Sequence, residues 1–291
     1  MLWLCLHFPK LPLEALIPKP SFGDASLRVV IEASRVVTCD DEVEALGVTT
    51  GLKQSTVSGL LSGHPLQLLS RDRVKEHQTL RRLRQWAYSI TPTLSLWRDD
   101  CLQLEISRCL LVHGGLEALL KKIAIEFDQR GFSVFAGVGP SRESAWLLSQ
   151  FNRASVASIA DQGLPLESQL SPIPLSYLDE FPKDTAALAK AGVRTFKDLL
   201  ALPNASIKQR CSHEFSSWID RLLCRVEVAL EDFQPDPEYN DVAWLGYGSK
   251  NNQELIPAME ALLEKLSLFL RHTQLETPQL RWVFIPTQGQ H

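Results

Sequence analysis

The carboxylates are the side chains of this sequence that could do metal-assisted chemistry, and their positions restrict it. The apolar start contains no Asp or Glu before Glu14, whereas Asp99 and Asp100 lie side by side between two apolar runs. Phosphoryl-transfer chemistry needs converging carboxylates to hold Mg²⁺ against a triphosphate. Asp99 and Asp100 could hold a cation weakly, but Asp is also favoured in turns, where it hydrogen-bonds its own backbone. We favour a turn.

The other candidate ligands and nucleophiles lack the spacing of a known site. Six cysteines occur without a CxxC pair, which argues against a zinc ribbon and against a disulfide framework of the secreted type. Cys5 and His7 lie two residues apart on one face of a predicted strand, but two ligands without a third usually belong to a core. No P-loop, GxSxG or HExxH pattern is present. The sequence therefore predicts reduced thiols and no metal site.

The composition is that of an ordinary soluble globular protein. Hydrophobic residues make up 45% and charged residues 22% of the 291 positions, and the formal net charge is −4. Proteins that grip DNA through many phosphates usually carry a basic excess, so a DNA contact here would be weak or confined to a local patch. The start lacks a basic n-region, and no run approaches the roughly 20 apolar residues of a membrane span. We expect a cytoplasmic protein.

Hydrophobic periodicity predicts an α+β fold. Residues 19–73 are punctuated by Pro, Gly and short β-type runs, which indicates a small inserted subdomain. Around this insert, the pattern predicts strands at 2–8, 94–97, 102–106 and 132–138, and helices at 74–89, 116–127 and 145–152. This order of elements fits a ferredoxin-like sheet with helices on one face.

The predicted helix 74–89 has an apolar stripe and a basic face. The stripe recurs at three-residue steps and consists of Val74, His77, Leu80, Leu83 and Trp86. Arg81, Arg82 and Arg84 fall mostly off it. These arginines are either a patch that binds phosphate or the solvated face of an ordinary helix, and we favour the second interpretation.

The remainder of the chain predicts two further modules. Residues 165–174 are polar and interrupted by prolines, which indicates a linker, and 178–230 is helical throughout. A second linker at 235–238 precedes the last elements. These are predicted as a strand at 242–247, a helix at 254–272 and a strand at 280–285.

The start of the chain resembles the first catalytic motif of the Y-family (UmuC-like, translesion) DNA polymerases. That motif is of the type Asp-x-Asp/Asn-x-Phe-Tyr-Ala-x-Val-Glu. Aligning its Val-Glu with Leu13 and Glu14 puts the metal-binding Asp at Cys5, and a slip of one residue puts it at Leu6. Either alignment implies that this magnesium ligand is absent.

The second catalytic motif of the family, Ser-Ile-Asp-Glu-x-x-Leu-Asp, aligns with the segment that ends at Glu105. This alignment puts the metal-binding Asp at Asp100 and its partner Glu at Cys101. A bulge of one residue would instead let Asp99 and Asp100 act as the pair. Without a ligand from the first strand, the resemblance implies that a two-metal site lacks its bridge.

The positions that hold the triphosphate in this family have also changed. An Asn-Tyr-Glu-Ala-Arg run, anchored on 47–48, places its Tyr at Asp41 and its Arg at Glu44. Acidic side chains there would repel a triphosphate that Arg would bind. The Gly-Ile-Ser-x-Asn-Lys-x-Leu-Ala-Lys segment places its final Lys at Trp146, whereas Arg142 preserves the other positive charge.

The resemblance covers essentially the whole chain and implies four domains. They are a palm at 1–18 and 74–161, fingers at 19–73, a small all-α thumb at 162–236 and a partial little-finger domain at 237–291. The thumb of the family grips phosphate through a Gly-x-Gly turn in a helix-hairpin-helix, but 179–181 reads Asp-Glu-Phe here. Gly192 is expected to end a helix. We therefore expect a degenerate hairpin.

The losses are those of an ImuB-type, catalytically inactive member of the Y-family. This resemblance implies a scaffold in damage-induced (SOS) mutagenesis, DNA repair and translesion synthesis rather than an enzyme, with no cofactor. Its implied partners are a RecA-like ImuA protein, an error-prone C-family DNA polymerase and the sliding clamp, bound through segments beyond this chain.

Two alternatives remain at the level of sequence. One is a divergent, active translesion polymerase that uses Mg²⁺ with Asp99, Asp100 and Glu105. The other is a DNA-binding module without catalysis. Its candidate DNA-binding residues are Arg81, Arg82, Arg84 and Arg142.

Overall fold

The structure is a computed structural model that describes residues 1–17, 26–95, 98–154, 156, 165–226, 239–243, 245, 252–273 and 275–284. The strands in these residues are β1 (Trp3–His7), β2 (Leu27–Glu32), β3 (Arg35–Cys39), β4 (Leu66–Ser70), β5 (Leu94–Ser95), β6 (Cys101–Glu105) and β7 (Phe135–Gly139). The helices are α1 (Leu11–Glu14), α2 (Asp41–Ala45), α3 (Gln54–Leu60), α4 (Arg73–Tyr88), α5 (Leu116–Arg130), α6 (Arg142–Asn152), α7 (Leu166–Leu170), α8 (Pro182–Lys190), α9 (Phe196–Leu200), α10 (Asn204–Arg210), α11 (His213–Leu222) and α12 (Asn252–Thr273).

The chain divides into two compact units. The first unit consists of Met1–Phe8, Ile90–Glu126 and Val134–Phe233. The second unit consists of Pro9–Ser89, Phe127–Ser133 and Gln234–His291. The bounds of palm, fingers, thumb and little finger given above stay predictions.

The sheet of the first unit confirms the predicted α+β, ferredoxin-like arrangement. Its strand order is β5-β6-β1-β7, and every pair in it is antiparallel. The central strand β1 pairs with β6 on one side and β7 on the other. Its residues are buried almost throughout, as a strand covered on both faces requires.

Helix α6 lies directly on β7 because two glycines leave it room. A Cβ atom on Gly137 would come within 2.2 Å of the Ala145 carbonyl oxygen, and one on Gly139 within 2.3 Å of Ser144 Oγ. The helix begins at 142, earlier than the predicted 145, because Ser141 caps it in a capping box with Ser144. The strand before it likewise runs from 135 to 139, not 132 to 138.

The first unit also contains helices α7–α11, and one prediction there is wrong. Residues 165–174 are not a linker: they include α7, and Leu170 and Ile173 are completely buried. Pro165 and Pro174 caused the error, since each lies just before a helical turn, as a capping residue, and not within a flexible connection. One continuous apolar core joins the sheet, α6 and these helices.

The second unit has a small sheet of order β3-β2-β4 with its own core. Strands β2 and β3 form an antiparallel hairpin, and β4 pairs with β2 in parallel. This sheet lies within the predicted insert 19–73, whose standing as a separate domain stays a prediction. Val29, Val43 and Val57 are completely buried beneath it.

Helix α4 of the second unit confirms the predicted helix, with a shifted buried face. Leu80 and Leu83 are buried as predicted, but Val74 is 66% exposed. In its place Glu76 is buried, because Arg71 donates two hydrogen bonds of 2.7 Å to its carboxylate. A charged residue can lie in a core when it is paired in this way.

The C-terminal helix is confirmed and the strands predicted on either side of it are wrong. Helix α12 spans 252–273, close to the predicted 254–272. The described residues at 242–243, 245 and 280–284 form no strand, and Val283 and Phe284 are more than half exposed. The rest of those two predicted strands lies outside the described residues. Their β-type composition is insufficient because an isolated strand is marginal without a ladder partner.

No helix among the described residues combines the length and the apolar character needed to cross a membrane.

Candidate functional site

Cys5 and Cys101, the residues aligned with metal-binding carboxylates, lie in the core of the first unit. Cys5 is 0% exposed and Cys101 1% exposed. Cys5 is opposite Gln103 on β6 and Gly137 on β7, at the middle of the sheet. Both cysteines belong to the apolar core that also contains Trp146 and Trp218. The two positions that align with metal-binding carboxylates are therefore part of the apolar core.

The Cys101 thiol is uncharged in this environment. A hydrogen bond with Cys5 and then burial raise the pKa of the Cys101 thiol well above its usual value. Ser149 Oγ lies 3.6 Å from Cys5 Sγ and donates to it. A metal ligand or nucleophile would have to be the thiolate, which this site disfavours.

Asp100 lies at the edge of this core beside His7. The distance between His7 Nε2 and Asp100 Oδ2 is 3.7 Å, and the Asp100 carbonyl accepts a 3.0 Å hydrogen bond from the amide of Phe8. Burial lowers the pKa of His7, against the opposing effect of Asp100 and with that of Arg153 and Arg98. His7 is therefore mainly neutral at pH 7, and the pair is a weak electrostatic contact.

The other two carboxylates of the predicted catalytic set do not complete a site with Asp100. Asp99 is an exposed residue in the bend before β6, in agreement with the turn that we favoured. Glu105 is at the opposite end of β6, so its Cα lies about 17 Å along the chain from that of Asp100. Its buried carboxylate accepts from the amides of Leu2 at 3.3 Å and Ser107 at 3.2 Å.

The residues at the aligned positions do not fit a pair of magnesium ions. Mg²⁺ prefers oxygen ligands in octahedral geometry, and two thiols and one carboxylate do not supply them. Across the described ranges, no three His, Cys, Asp or Glu side chains group together as metal ligands would. Buried Oδ1 of Asp100 and Nδ1 of His7 have no hydrogen-bond partner among those residues, but they belong to a single carboxylate and a single imidazole.

Trp146, aligned with a phosphate-binding lysine, lies in the core and carries a cation on its ring. The guanidinium carbon of Arg98 is 3.8 Å from the ring centroid, and the same guanidinium forms an ion pair with Glu180. The ring also meets Trp218 edge to face, with centroids 6.5 Å apart. Cation–π contacts of this kind stabilise most when they are shielded from water.

In the degenerate hairpin turn at 179–181, Asp179 and Glu180 are exposed, but Glu180 and Phe181 both contact other side chains of the first unit. Glu180 is the partner of Arg98, and Phe181 stacks against Phe215 and Trp218 with centroids 5.4 and 6.0 Å apart. Gly192 follows α8 with φ of +86° and confirms the predicted helix end.

Arg142, the positive charge preserved in the alignment, is oriented by neighbours in the first unit. Its Nη1 donates to Ser95 Oγ at 3.2 Å, and its guanidinium is 6.0 Å from the ring centroid of Trp3. Its backbone carbonyl accepts from Gln103 Nε2 at 3.1 Å. These contacts fix α6 to the sheet, and a role in DNA binding stays a prediction.

In the second unit, the two positions aligned with triphosphate contacts are exposed acids. Asp41 and Glu44 lie on α2, whose first turn also contains Glu42. Acidic residues are favourable there because the N-terminus of a helix carries partial positive charge. The Asp41 carboxylate forms an ion pair with Lys10, so the nearby cation is already neutralised. A triphosphate would meet negative charge at this position.

Arg81, Arg82 and Arg84 lie on α4 in different environments. Arg81 is exposed, and the other two are half-buried. Their spacing on a helix spreads them over more than one face. Arg81 and Arg84, three residues apart, share a face of α4 that Arg82 does not, and contact of these residues with DNA stays a prediction.

Arg98 is the functional-site residue that the sequence analysis missed. Its partners are distant in the chain, at Trp146 and Glu180, so no local spacing could reveal the contact. The sequence carried only an indirect signal of this contact. Trp146 stands where the family has a lysine, and Glu180 lies in the turn that binds phosphate in the family.

No protein-family model matches the chain. Among curated proteins, ImuB from two strains of Caulobacter vibrioides is 22% identical over 197 residues, which cover 67% of this chain and 42% of each relative. The chain thus aligns with about two fifths of the length of the curated relatives it matches.

Solved structures of Y-family polymerases are similar to the chain in fold. An insertion ternary complex of Dbh DNA polymerase has a TM-score of 0.61 at 14% identity, covering 92% of this chain and 80% of that one. DinB from Sulfolobus solfataricus has a TM-score of 0.56 at 13% identity, covering 80% and 70%. The chain therefore has the fold of the Y-family DNA polymerases, with a sequence similar to that of ImuB.

Proposed function

We propose that this chain is a non-catalytic, polymerase-like subunit that acts as a scaffold in damage-induced mutagenesis, DNA repair and translesion synthesis. The observation that carries the proposal is the burial of Cys5 and Cys101 in a continuous apolar core. Nucleotidyl transfer needs carboxylates exposed to the metal and substrate at these positions, and an apolar core excludes both.

The charge at the aligned phosphate positions supports the same function. Asp41 and Glu44 are exposed acids, and Trp146 is buried beneath Arg98. Phosphoryl transfer depends on cations that stabilise the triphosphate, and acids in their place oppose its binding. The changes affect both metal binding and substrate binding, so one reversion would not restore activity.

The partners that we propose follow from the similarity to ImuB. They are a RecA-like ImuA protein, an error-prone C-family DNA polymerase and the sliding clamp. We propose that the folded core of the first unit supplies a platform for these partners.

The alternative, an active translesion polymerase, requires Asp99, Asp100 and Glu105 to act together. The separation of Asp100 and Glu105 along β6 disfavours it, as do the local hydrogen bonds that Glu105 accepts. The third possibility, a DNA-binding module, is weakened for Arg142 by its contact with Ser95.

Primer extension tests the proposal directly. The purified chain, supplied with primed template, all four deoxynucleotides and Mg²⁺ or Mn²⁺, should incorporate no nucleotide above the level of a mock preparation. Incorporation that is abolished by Asp100→Ala would overturn the proposal. Asp128→Ala is the matched control, because Asp128 is an exposed acid elsewhere in the chain.

A second test distinguishes a scaffold from a protein that has no role in mutagenesis. In the host, deletion of the gene should reduce damage-induced mutation frequency, and Asp100→Ala should leave that frequency unchanged. An equal loss in the deletion and in Asp100→Ala would favour the catalytic alternative, provided that the variant accumulates to the normal level.

A further inference from the structure

A groove in the second unit lies between the β2–β3 turn and the start of α3, and none of its lining residues belongs to the sites described above. The turn consists of Ala33 and Ser34, with φ values of 47° and 61°. Two successive left-handed residues are typical of the tight type I′ turn that joins antiparallel strands. The carbonyl of Ser34 accepts a 2.9 Å hydrogen bond from the amide of Gln54, which holds the two walls of the groove together.

Two cations are held opposite each other in this groove. Arg35 and Lys53 form an isolated antiparallel bridge, so they are direct cross-strand neighbours. Side chains in such a pair point to the same side, with Cβ atoms about 4.5–5.5 Å apart, and like charges there are destabilising. Arg35 is fixed in place because its Nη1 donates to the carbonyl of Gly51 at 2.7 Å.

No carboxylate among the described residues lies within ion-pair distance of either cation. Glu32 is opposite Arg35 across the β2–β3 turn, but its carboxylate bonds Arg71 at 3.1 Å and Arg73 at 2.9 Å. The acidic neighbour is therefore neutralised by other arginines. In a chain with a net charge of −4, this is a local excess of positive charge.

The lining of the groove suits an anion with several acceptor oxygens. It has a volume of about 530 Å³ and is lined by Ala33, Ser34, Arg35, Lys53, Gln54, Ser55 and Ser58. This set contains two cations, three hydroxyl donors and an amide, and no acid. Phosphate oxygens accept from each of these groups, and Arg binds them through two parallel hydrogen bonds.

We propose that this groove binds a phosphate group, carried either by a free nucleotide or by single-stranded DNA. Arg35 and Lys53 supply the charge, and Ser34, Ser55 and Ser58 supply the neutral donors. The groove is distinct from the acidic positions at Asp41 and Glu44, because it adjoins the first residue of β3 and α2 follows the last, about 13 Å away along the strand. This binding goes beyond the proposed scaffold function and does not depend on it.

Titrations of the full chain with inorganic phosphate, thymidine monophosphate and a short oligothymidylate test the proposal and identify the source of the phosphate. Amide resonances of Ser34, Ser55 and Ser58 should shift with the ligand that binds. In Arg35→Gln/Lys53→Gln, affinity should fall at least about fivefold, and for the oligonucleotide the slope of log affinity against log salt should fall by about 1.4. The matched control, Lys122→Gln/Lys190→Gln, removes the same charge from exposed positions of the first unit and should retain the shifts.

Shifts with thymidine monophosphate as strong as with the oligonucleotide would assign a nucleotide site, and shifts with the oligonucleotide alone would assign a strand-binding site. The absence of binding by all three ligands would overturn the proposal, as would an equal loss in the test and control variants.

Thermal unfolding supplies a readout that does not depend on detecting the complex. Without phosphate, Lys53→Gln should unfold at a higher temperature than the wild type, because it removes a repulsive pair. Added phosphate should raise the unfolding temperature of the wild type more than that of the variant. An equal rise in both proteins would count against the site.

Discussion

Cys5 in the first unit and Asp41 in the second occupy positions that align with ligands of one family reaction, yet their surroundings have changed in opposite ways. Cys5 is 0% exposed and belongs to a core with Trp146 and Trp218. The Asp41 side chain is 88% exposed and is an acid at a position that aligns with a triphosphate contact. Under the proposed function, packing accounts for the loss at Cys5 and electrostatics for the loss at Asp41.

The difference between these regions has a physical basis. Burial makes a charged substitution costly, so a packed position resists reversion through stability. An exposed position carries little folding energy, so its charge can change with small effect on the fold. Reversion at Cys5 in the first unit should thus lower the free energy of unfolding strongly, whereas reversion at Asp41 in the second should lower it little.

The largest effect is expected for Cys5→Asp, which restores the aligned carboxylate. An unpaired charge in this core should lower the free energy of unfolding by about 3–5 kcal/mol, and the variant should still incorporate no nucleotide. Urea unfolding measures the loss. Cys224→Asp is the matched control, because Cys224 is exposed, and its loss should be much smaller than that of Cys5→Asp. Equal stability of Cys5→Asp and wild type would contradict the packing of Cys5 in the apolar core.

The second unit contains a carboxyl group that tests how such burial is tolerated. Glu14 is 7% exposed and accepts a 2.8 Å hydrogen bond from the amide of Ser133. Burial is the largest cause that raises the pKa of Glu14, to about 7, against opposing hydrogen bonds from Ser133. The folded state therefore holds this proton at pH values where the unfolded chain, near its usual value of 4.5, has lost it.

The sign of the pH dependence follows from this raised pKa. The contribution of Glu14 is fully present below about pH 4.5 and is lost as the pH rises through about 7, a fall of about 3 kcal/mol at most. Glu14→Gln should remove this decrease in unfolding free energy. The measurement is the difference in unfolding free energy between wild type and variant, followed across this pH range. Glu44→Gln, at an exposed position, should leave the fall intact. A parallel pH profile for Glu14→Gln and wild type would show that Glu14 does not titrate in this way.

The elements that sequence predicted best are long and periodic. Helices at 74–89 and 254–272 were placed within two residues at each end, because several turns carry the same apolar stripe. The segment 165–174 was mistaken for a linker, since Pro165 and Pro174 stand at helix starts and the burial of the segment depends on the core. The strands predicted at 242–247 and 280–285 failed because pairing, and not composition, decides a strand.

The candidate site, like the fold, could be predicted only in part from the sequence. The absence of a carboxylate at Cys5 could be derived from the sequence, since it concerns only residue type. That Cys5 and Cys101 are buried together could not, because it depends on helices far along the chain. Arg98 was missed for this reason, as its partner Glu180 is 82 residues away.

A smaller effect is expected for Arg98→Met, which removes the cation from the face of Trp146. The loss of the cation–π contact and the ion pair should cost about 1–2 kcal/mol in unfolding free energy. A double-mutant cycle with Glu180→Gln separates the two contributions. The cost of Arg98→Met that remains in the Glu180→Gln background belongs to the contact with the ring. Lys121→Met, which breaks an exposed pair with Glu117, should leave the unfolding midpoint almost unchanged. A null result for Arg98→Met would mean that solvent competes fully for the guanidinium.

The smallest effect on stability is expected for Asp41→Arg, at the exposed end of the comparison. Because the Asp41 side chain is 88% exposed, the loss of its ion pair with Lys10 and of a favourable acid at the start of α2 should lower the unfolding free energy by at most about 1 kcal/mol. The variant frees Lys10 and adds a second cation, so a nucleoside triphosphate should bind more tightly in calorimetry than it does to the wild type, with no incorporation. Glu44→Arg is the companion variant on the same helix and should behave similarly. Severe destabilisation by Asp41→Arg would show that its acid is part of the fold, and the distinction between a packed and an electrostatic loss would then fail at this position.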